Sequence, residues 1–452
     1  MKTRLNNAID AGALLDGSAW TTYQKLLTAL AAFAVLFDGF DIQILAFAIP
    51  SLVRDWGVAR SDFGYVLALG LAGMAIGGPL AGYFGDRFGR RPALLGCVTL
   101  FGLATMATAL VHGLIGLAVL RFITGLGAGG AVPNASALAA EFAPASRRPT
   151  AVKFTIVCIP LGGMMGGLIA ALVLPALGWR ALYLMGGITP LVFALVMWQG
   201  LAESPRFMAR RPELWPELSR LLTRMGHAIP AGAVFEDRSE HGGTESAGLR
   251  ALFSPALLRD TTGLWIAFFS CLAAIYLIFG WLPTMLAAQG LGVAAASSGL
   301  AVYNLGGVLG VLLWAVMMAL FGSRRPLLLG ALAGAGSALA LLLVPIHAQG
   351  GVTLLLAGLG LHGLLCNAVQ TSMFAVAAHV YPTSVRATGV AWAAAVGRVG
   401  ALLTSFFGAM IIEAGAAAYW YALAIGMVCT FAGLAWVRNH VPARSSKRGF
   451  AP

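Results

Sequence analysis

The chain has 452 residues, of which 59% are hydrophobic and 10% are charged, and its mean hydropathy is +0.85. Soluble domains carry about 25% charged residues, so this composition excludes an ordinary soluble enzyme. The five cysteines lie inside apolar stretches without a CxxC pair, which argues against a thiolate metal site.

Apolar runs of roughly 20 residues recur along the whole chain. That length crosses about 30 Å of hydrocarbon as a helix, and backbone in lipid must be helical unless it closes a barrel. The runs are too long and too continuously apolar for barrel strands. We therefore predict twelve membrane-spanning helices, at residues 26–50, 62–84, 93–111, 114–140, 151–176, 180–201, 260–286, 297–320, 326–346, 351–378, 388–413 and 417–437.

One long hydrophilic segment, residues 202–259, separates the first six predicted spans from the last six. The prediction is an all-α membrane protein with 12 transmembrane helices in two six-helix halves, residues 26–201 and 260–437. Residues 1–25 and 438–452 are then the cytoplasmic termini, and residues 202–259 form a cytoplasmic central loop.

The distribution of Lys and Arg sets the predicted orientation. With both termini cytoplasmic, 24 of the 29 Lys and Arg residues fall on the cytoplasmic side. Because Lys and Arg resist translocation, this asymmetry favours a multi-pass protein of the cell inner membrane with both ends inside. It also accounts for the net charge of +12 without a nucleic-acid partner.

An internal repeat supports the division into halves. The 14 residues from Ala139 align without gaps to the 14 residues from Ala377, at an offset of 238 residues, and seven positions are identical. Each copy follows an even-numbered span. Two halves in parallel orientation are typical of a transporter that rocks about a central binding site.

Two acids in the first span, Asp38 and Asp41, are the candidate proton-coupling groups. Charge inside a bilayer costs about 2.5 to 3.5 kcal/mol per residue, so ionisable groups there are functional candidates. The two acids lie three residues apart, hence on one helical face, where repulsion and poor solvation favour protonation of at least one. The structural alternative is that one acid only pairs with Arg121.

Arg121 in the fourth span and Arg398 in the eleventh are the candidate anion anchors. A guanidinium stays charged and binds a carboxylate with two hydrogen bonds. Each arginine has an alternative role as the partner of an aspartate. A flat organic anion would also need apolar walls and a few polar groups; the candidates are Trp265, Tyr303, Asn367 and Gln370.

The segment between the second and third spans carries a particular pattern of glycine and charge, from Gly82 to Pro92. Glycines permit a tight turn, an acid suits a helix N-terminus, and arginines hold the cytoplasmic side. A topogenic loop would need only the arginines. The spacing of Gly82, Asp86, Arg87, Gly89 and Arg90 therefore suggests a gate latch.

No cofactor or metal motif is apparent. The GxGxxG match at residues 125–130 lies inside a predicted span without a preceding strand, so it does not predict a dinucleotide loop. Close helix packing explains its glycines. GxSxG, HExxH and Walker A motifs are absent from the sequence, which leaves a hydrolase or a primary pump without support.

The motifs together resemble the major facilitator superfamily over nearly the full length. Two segments show this resemblance: residues 82–92, and Glu203-Ser204-Pro205-Arg206-Phe207 after the sixth span. More narrowly, Asp38-Gly39-Phe40-Asp41, the segment from Arg121 to Gly127 and the segment from Tyr381 to Gly389 are similar to the aromatic acid:proton symporters.

This resemblance implies that Asp38, Asp41, Arg121 and Arg398 matter for transport. It also implies that Asp86, Gly89, Glu141 and Arg386 serve transport or gating. The second-half loop departs from the family pattern, because Ala319 and Leu320 stand where the family commonly repeats Asp-Arg.

The sequence thus leads to one functional hypothesis, the import of a small aromatic carboxylate together with H+ by alternating access. We expect a monomer with no cofactor. The alternatives are a sugar or polyol facilitator, a drug:proton antiporter of the same fold, and a membrane sensor. The sensor is disfavoured because the central loop is too short to hold a signalling domain.

Overall fold

The computed structural model describes residues 9–230, 232–237, 249–344, 351–382 and 385–443, without the side chains of residues 249, 250 and 387. Parts of the predicted termini and of the central loop lie outside the described residues. Thr383 and Ser384 of the repeat motif also lie outside them.

Within the described ranges, eleven helices are long and apolar enough to cross a membrane. Their apolar composition allows burial in lipid, and helical hydrogen bonding satisfies the backbone there. They are α2 (Thr22–Trp56), α3 (Phe63–Phe88), α4 (Arg90–Thr108), α5 (Leu114–Phe142), α6 (Arg148–Gly200), α9 (Leu258–Ala288), α10 (Val293–Phe321), α11 (Arg324–Leu342), α12 (Gly351–Val380), α13 (Arg386–Glu413) and α14 (Ala416–Trp436).

Helix α6 contains two of the predicted spans. It has 53 residues, and its regular geometry breaks at Gly178, where φ is +76°. Only glycine adopts this backbone conformation readily, so the chain bends there without a loop. The two segments on either side bring the total to the predicted twelve spans.

Short elements occupy the polar segments. They are β1 (Ile9–Asp10), α1 (Ala11–Asp16), α7 (Pro205–Ala209), α8 (Trp215–Arg224), β2 (Phe235–Glu236) and 3-10 turns at Arg60–Asp62, Pro212–Leu214 and Leu249–Phe253. Strand β1 pairs in parallel with β2. Asp10 caps α1, because its carboxylate accepts from the backbone N–H groups of Gly12 and Ala13.

The chain forms two compact units. The first comprises residues 1–44, 69–162 and 179–243, and the second comprises residues 45–68, 163–178 and 244–452. Residues 45–68 and 163–178 belong to the second unit although they lie between segments of the first in sequence, whereas each predicted domain is one continuous segment. The predicted boundaries therefore remain a prediction.

Glycines bring helices into backbone contact within each unit. In the first unit, a Cβ added to Gly129 of α5 would lie 2.7 Å from Cα of Met74 in α3. In the second unit, a Cβ on Gly310 of α10 would lie 2.8 Å from the carbonyl carbon of Leu364 in α12. The glycine run at residues 125–130 thus serves close helix packing, as predicted.

Candidate functional site

The two candidate proton-coupling acids lie in the middle of α2 and are buried in the first unit. Asp38 is 0% exposed and Asp41 is 2% exposed. Gly39, between them, lies against α6, because an added Cβ would be 2.8 Å from Cα of Ile159. This contact turns the acid-bearing face of α2 towards protein.

Asp41 is held by two neighbouring helices. Thr105 of α4 donates its hydroxyl to Oδ1 of Asp41 at 2.5 Å. Arg121 of α5 donates Nη1 to the carbonyl oxygen of Asp41 at 3.1 Å and lies 3.5 Å from its Oδ2. The carboxyl group of Asp41 therefore has both a hydrogen-bond donor and a positively charged side chain beside it.

Asp38 has neither. Both of its carboxyl oxygens are buried and have no hydrogen-bond partner among the described residues. An ionised carboxylate in such a place costs several kcal/mol, so the neutral, protonated form is the favoured one. The two acids thus differ in environment although they share a helical face.

Arg121 is only partly satisfied. It is 5% exposed, and its Nε and Nη2 atoms have no hydrogen-bond partner in the described part of the chain. The guanidinium lies 5.4 Å from the ring centroid of Tyr183 in α6, whose hydroxyl is also buried. Two donors and a phenol therefore remain for an anion.

The predicted gate segment is mostly helical. Gly82, Asp86 and Arg87 belong to the last turns of α3, and only Gly89 interrupts the helices, with φ of +113°. The expectation of a loop beginning at Gly82 is therefore wrong, and a Cβ at Gly82 would meet open space. We call the junction of α3 and α4 at Gly89 the first-half turn.

A buried acid closes the first-half turn. Glu203, which follows α6, accepts hydrogen bonds at Oε1 from the backbone N–H groups of Arg90 and Arg91, at 3.0 Å and 3.1 Å. These N–H groups begin α4, where a carboxylate is stabilised by the helix dipole. Burial raises the pKa of Glu203, and these backbone bonds oppose the increase.

The predicted gating residues around this turn also find partners. Nη2 of Arg90 forms an ion pair with Asp86 at 2.5 Å, and Arg87 donates to the hydroxyl of Tyr83 at 2.8 Å. Glu141 at the end of α5 accepts a hydrogen bond from Ser204. These contacts join the ends of α3, α4 and α5 to the residues that follow α6.

The candidates in the second half are placed less uniformly. Tyr303 is 0% exposed and Asn367 is 6% exposed. The Tyr303 hydroxyl is buried without a hydrogen-bond partner among the described residues. The side-chain amide of Asn367 donates a hydrogen bond to the carbonyl of Gly363 in the same helix. Gln370 is half-buried and accepts from Thr371.

Among the described residues of the second unit, no hydrogen bond or ring contact joins Trp265 to Arg398. Trp265 packs between Phe253, at 5.5 Å, and Trp392, at 6.4 Å between ring centroids. Arg398 is exposed on α13. Arg386 at the start of α13 donates Nε to the carbonyl of Tyr381 at 3.3 Å.

Sequence reasoning missed three residues of these sites. Thr105 and Tyr183 surround Asp41 and Arg121, yet neither belongs to a recognisable motif. The sequence places Glu203 in a motif after the sixth span, and that position is a signal of its role. The acid that closes the first-half turn lies 113 residues from Arg90 in sequence.

Comparison with known proteins agrees with this arrangement. The family model described as Major Facilitator Superfamily matches residues 31–346 and 264–452. The chain belongs to the Major Facilitator Superfamily. It is a multi-pass membrane protein with the twelve-helix, two-half major facilitator fold, as predicted, and it is not an enzyme.

The chain is similar over its full length to named members of this superfamily. It is 33% identical to the gallate transporter of Pseudomonas putida, and the match covers 100% of both chains. It is 34% identical to the 4-hydroxybenzoate transporter PcaK of Acinetobacter baylyi, over 90% of this chain and 89% of the relative. The prediction of the aromatic acid:proton symporter family is thereby confirmed.

Solved structures support the fold. The crystal structure of a D-xylose-proton symporter superimposes with a TM-score of 0.72 at 20% identity, covering 92% of this chain and 99% of that one. At this identity the likeness concerns the fold alone.

Proposed function

We propose that this protein is a proton-coupled transporter that imports a small aromatic carboxylate by alternating access. It acts as a monomer in the cell inner membrane with both termini cytoplasmic. The observation that carries the proposal is the buried group of Asp38, Asp41 and Arg121, in which Asp38 and two nitrogen atoms of Arg121 have no hydrogen-bond partner among the described residues. The names of the full-length relatives, which include gallate and 4-hydroxybenzoate transporters, support the substrate class.

The roles follow from the partners of each residue. Asp38, which has no hydrogen-bond partner or counter-charge in the described part of the chain, carries the transported proton. Asp41 stays ionised because Arg121 and Thr105 hold it. Nε and Nη2 of Arg121 bind the substrate carboxylate, and Arg398 is a second anion anchor. Trp265, Tyr303, Asn367 and Gln370 are the candidates for the ring and its polar substituents.

Coupling arises from the balance of buried charge. A substrate anion next to Arg121 competes with Asp41 for the guanidinium, which leaves more negative charge in a poorly solvated place. Protonation of Asp38 removes one negative charge from it. Anion binding and proton binding therefore favour each other, and each shifts the protein to the state that binds the other.

The gating residues have a separate role. The first-half turn and the contacts of Asp86, Arg87, Arg90, Glu141 and Arg386 fix the ends of helices, so that a half moves as one piece. The contacts of Glu203 with the start of α4 support this role in the first half.

The decisive experiment separates coupling from substrate binding at Asp38. Proteoliposomes are tested for two activities with labelled 4-hydroxybenzoate, gallate and benzoate: uptake driven by a pH gradient, and exchange against unlabelled acid without a gradient. Asp38→Asn imitates the protonated acid. We expect it to lose gradient-driven accumulation at least tenfold and to retain exchange.

Two controls accompany this experiment. Glu413→Gln neutralises an exposed acid at the end of α13 and should leave both activities unchanged. D-xylose and a cationic dye in the same panel represent the sugar facilitator and the drug antiporter. Gradient-driven uptake of acids by Asp38→Asn at the wild-type level would refute the coupling role, and uptake of only xylose or the dye would refute the substrate class.

A further inference from the structure

The turn between α10 and α11 lacks the charged pair of the first-half turn. Ala319 and Leu320 stand where an Asp-Arg pair would be repeated, and the helices are separated by Gly322, with φ of +73°, and Ser323. We call this junction the second-half turn. Ser323 is nevertheless 0% exposed, so other residues must cover it.

The cover is the segment that follows α14. Ser323 donates its backbone N–H to the carbonyl of Val441 at 2.8 Å, and Val441 donates its N–H to the Ser323 hydroxyl oxygen at 2.8 Å. The same hydroxyl lies 3.2 Å from Nδ1 of His440. Side-chain space at Gly322 is closed as well, because an added Cβ would lie 2.9 Å from the carbonyl oxygen of Val441.

A buried acid at the start of α9 holds the other end of this segment. Asp260 is 2% exposed and accepts at Oδ1 from the backbone N–H of Arg438, at 2.6 Å. Its Oδ2 accepts from the amide of Asn439 at 2.8 Å. Next to it, Arg259 donates to the carbonyl of Trp436 at 3.0 Å. A buried carboxylate with two such bonds fixes the tail more firmly than exposed contacts would.

The turn before α4 and the turn before α11 are thus each closed by hydrogen bonds, but different residues form these bonds in the two halves. In the first unit, Glu203 after the sixth span closes the turn at the start of α4. In the second unit, the segment after the last span closes the turn at the start of α11, and the acid is Asp260 of α9. Pro92 and Pro326 lie at matching places, each after two arginines.

We propose that Arg438–Val441, Asp260 and Ser323 form a tail clasp that replaces the ionic latch missing from the second half. The clasp joins the ends of α9, α11 and α14, and it allows this half to move as one piece during transport. Asp260 is a positioning residue, because it acts through the tail and not on substrate. The clasp therefore sets the rate of the conformational step and leaves substrate affinity unchanged.

The test compares two truncations of the full chain. Truncation after Val437 removes the clasp, whereas truncation after Ala443 removes only the residues beyond it and is the matched control. We expect the first to lower the maximal transport rate at least tenfold with KM unchanged within twofold. The control should transport as the full chain does. Asp260→Asn keeps one acceptor and should show an intermediate rate.

Hydrogen exchange provides a readout that needs no substrate. Without the clasp, the amides of Ser323 and of Leu327, Gly263 and Leu264 should exchange at least tenfold faster, and those at the start of α4 should be unchanged. The transport measurement rests on the proposed function, whereas the hydrogen-exchange measurement does not. If the protein transports none of the tested aromatic acids but its truncated form still shows faster hydrogen exchange, the proposed function is refuted and the tail clasp is supported.

Three results would overturn the proposal. One is a wild-type transport rate after truncation at Val437. Another is a change in KM that matches the change in rate. If the truncated chain does not fold, Asp260→Asn and Ser323→Ala decide the question, and wild-type rates together with unchanged exchange in both would overturn it.

Discussion

Thr105 donates its hydroxyl to Asp41 beside Arg121, and in the proposed mechanism this bond stabilises the ionised carboxylate. Thr105→Val preserves the shape of the side chain and removes the hydrogen bond to Asp41. Hydrogen bonds to charged groups contribute about 1.5 to 3 kcal/mol, so we expect a loss of stability of that order in chemical unfolding of the detergent-solubilised protein. Thr99→Val alters an exposed residue of the same helix and should change stability by less than about 0.5 kcal/mol.

Gly89 and Gly82 were predicted to act in the same gate, but the structure separates them. Gly89 has φ of +113°, and a Cβ there would lie 2.9 Å from Cδ of Glu203. Gly89→Ala should therefore reduce transport at least tenfold and lower the melting temperature. Gly82 lies in helix α3 with open space beside it, so Gly82→Ala should be neutral or stabilise by about 0.5 to 1 kcal/mol. Equal damage from both substitutions would contradict this assignment.

Several residues of the site were predictable because burial of charge in lipid is costly whatever the fold. Asp38, Asp41 and Arg121 stood out for that reason, and the structure brings Asp41 and Arg121 together. The difference between Asp38 and Asp41 was not predictable. It depends on which residues of α4 and α5 face each acid, and the apolar pattern of a membrane helix does not fix its rotation about its axis.

We expect His440 to make the tail clasp sensitive to pH. Burial lowers the pKa of His440, and Arg324 lowers it further, whereas Asp260 and the carbonyl of Leu434 oppose the decrease. A histidine whose pKa is lower in the folded protein contributes its full stability above its unfolded pKa, near 6.5. That contribution is lost as the pH falls from there towards the folded pKa.

We therefore expect exchange at the first turn of α11 to increase as the pH falls from about 7 to 5, after correction for intrinsic rates. His440→Gln retains a hydrogen-bonding side chain without a charge, so its exchange should vary less across that range. Hydrogen exchange at several pH values measures both variants. The same pH dependence in His440→Gln would exclude His440 as the titrating group.

The predicted spans and the observed helices differ at their ends. The apolar runs located every span, since the length of a membrane helix is fixed by the bilayer. Helix α3 continues to Phe88, beyond the predicted end of its span, because Gly85 and the charged residues after it are compatible with helix. Polarity marks where a helix leaves lipid, and this is not where the helix ends.

For the whole molecule, the positive charge of the loops predicts both termini on the cytoplasmic side. A small epitope fused to either end should be accessible to antibody in inside-out vesicles and protected in right-side-out cells until they are permeabilised. A tag inserted after Ala443 serves as a second marker of the same side. Protection of one terminus and exposure of the other in the same preparation would exclude an even number of spans.

The superfamily was predictable from the sequence because its signature segments are short, local and rich in charge. The tail clasp was not, since its residues are separated by up to 179 positions and include no motif. Its hydrogen bonds are largely to backbone atoms, which any residue supplies. Contacts of this kind leave little trace in one sequence.

In the predicted orientation the bend at Gly178 faces the outside of the cell, which has a practical consequence for labelling this protein from that side. Two spans meet there without intervening residues, so the segment that links them is too short to serve as a peptide antigen. A label placed at that point would have to replace a residue of the helix itself. Chemical labelling of a single introduced cysteine is therefore better suited to the bend at Gly178 than the insertion of an epitope.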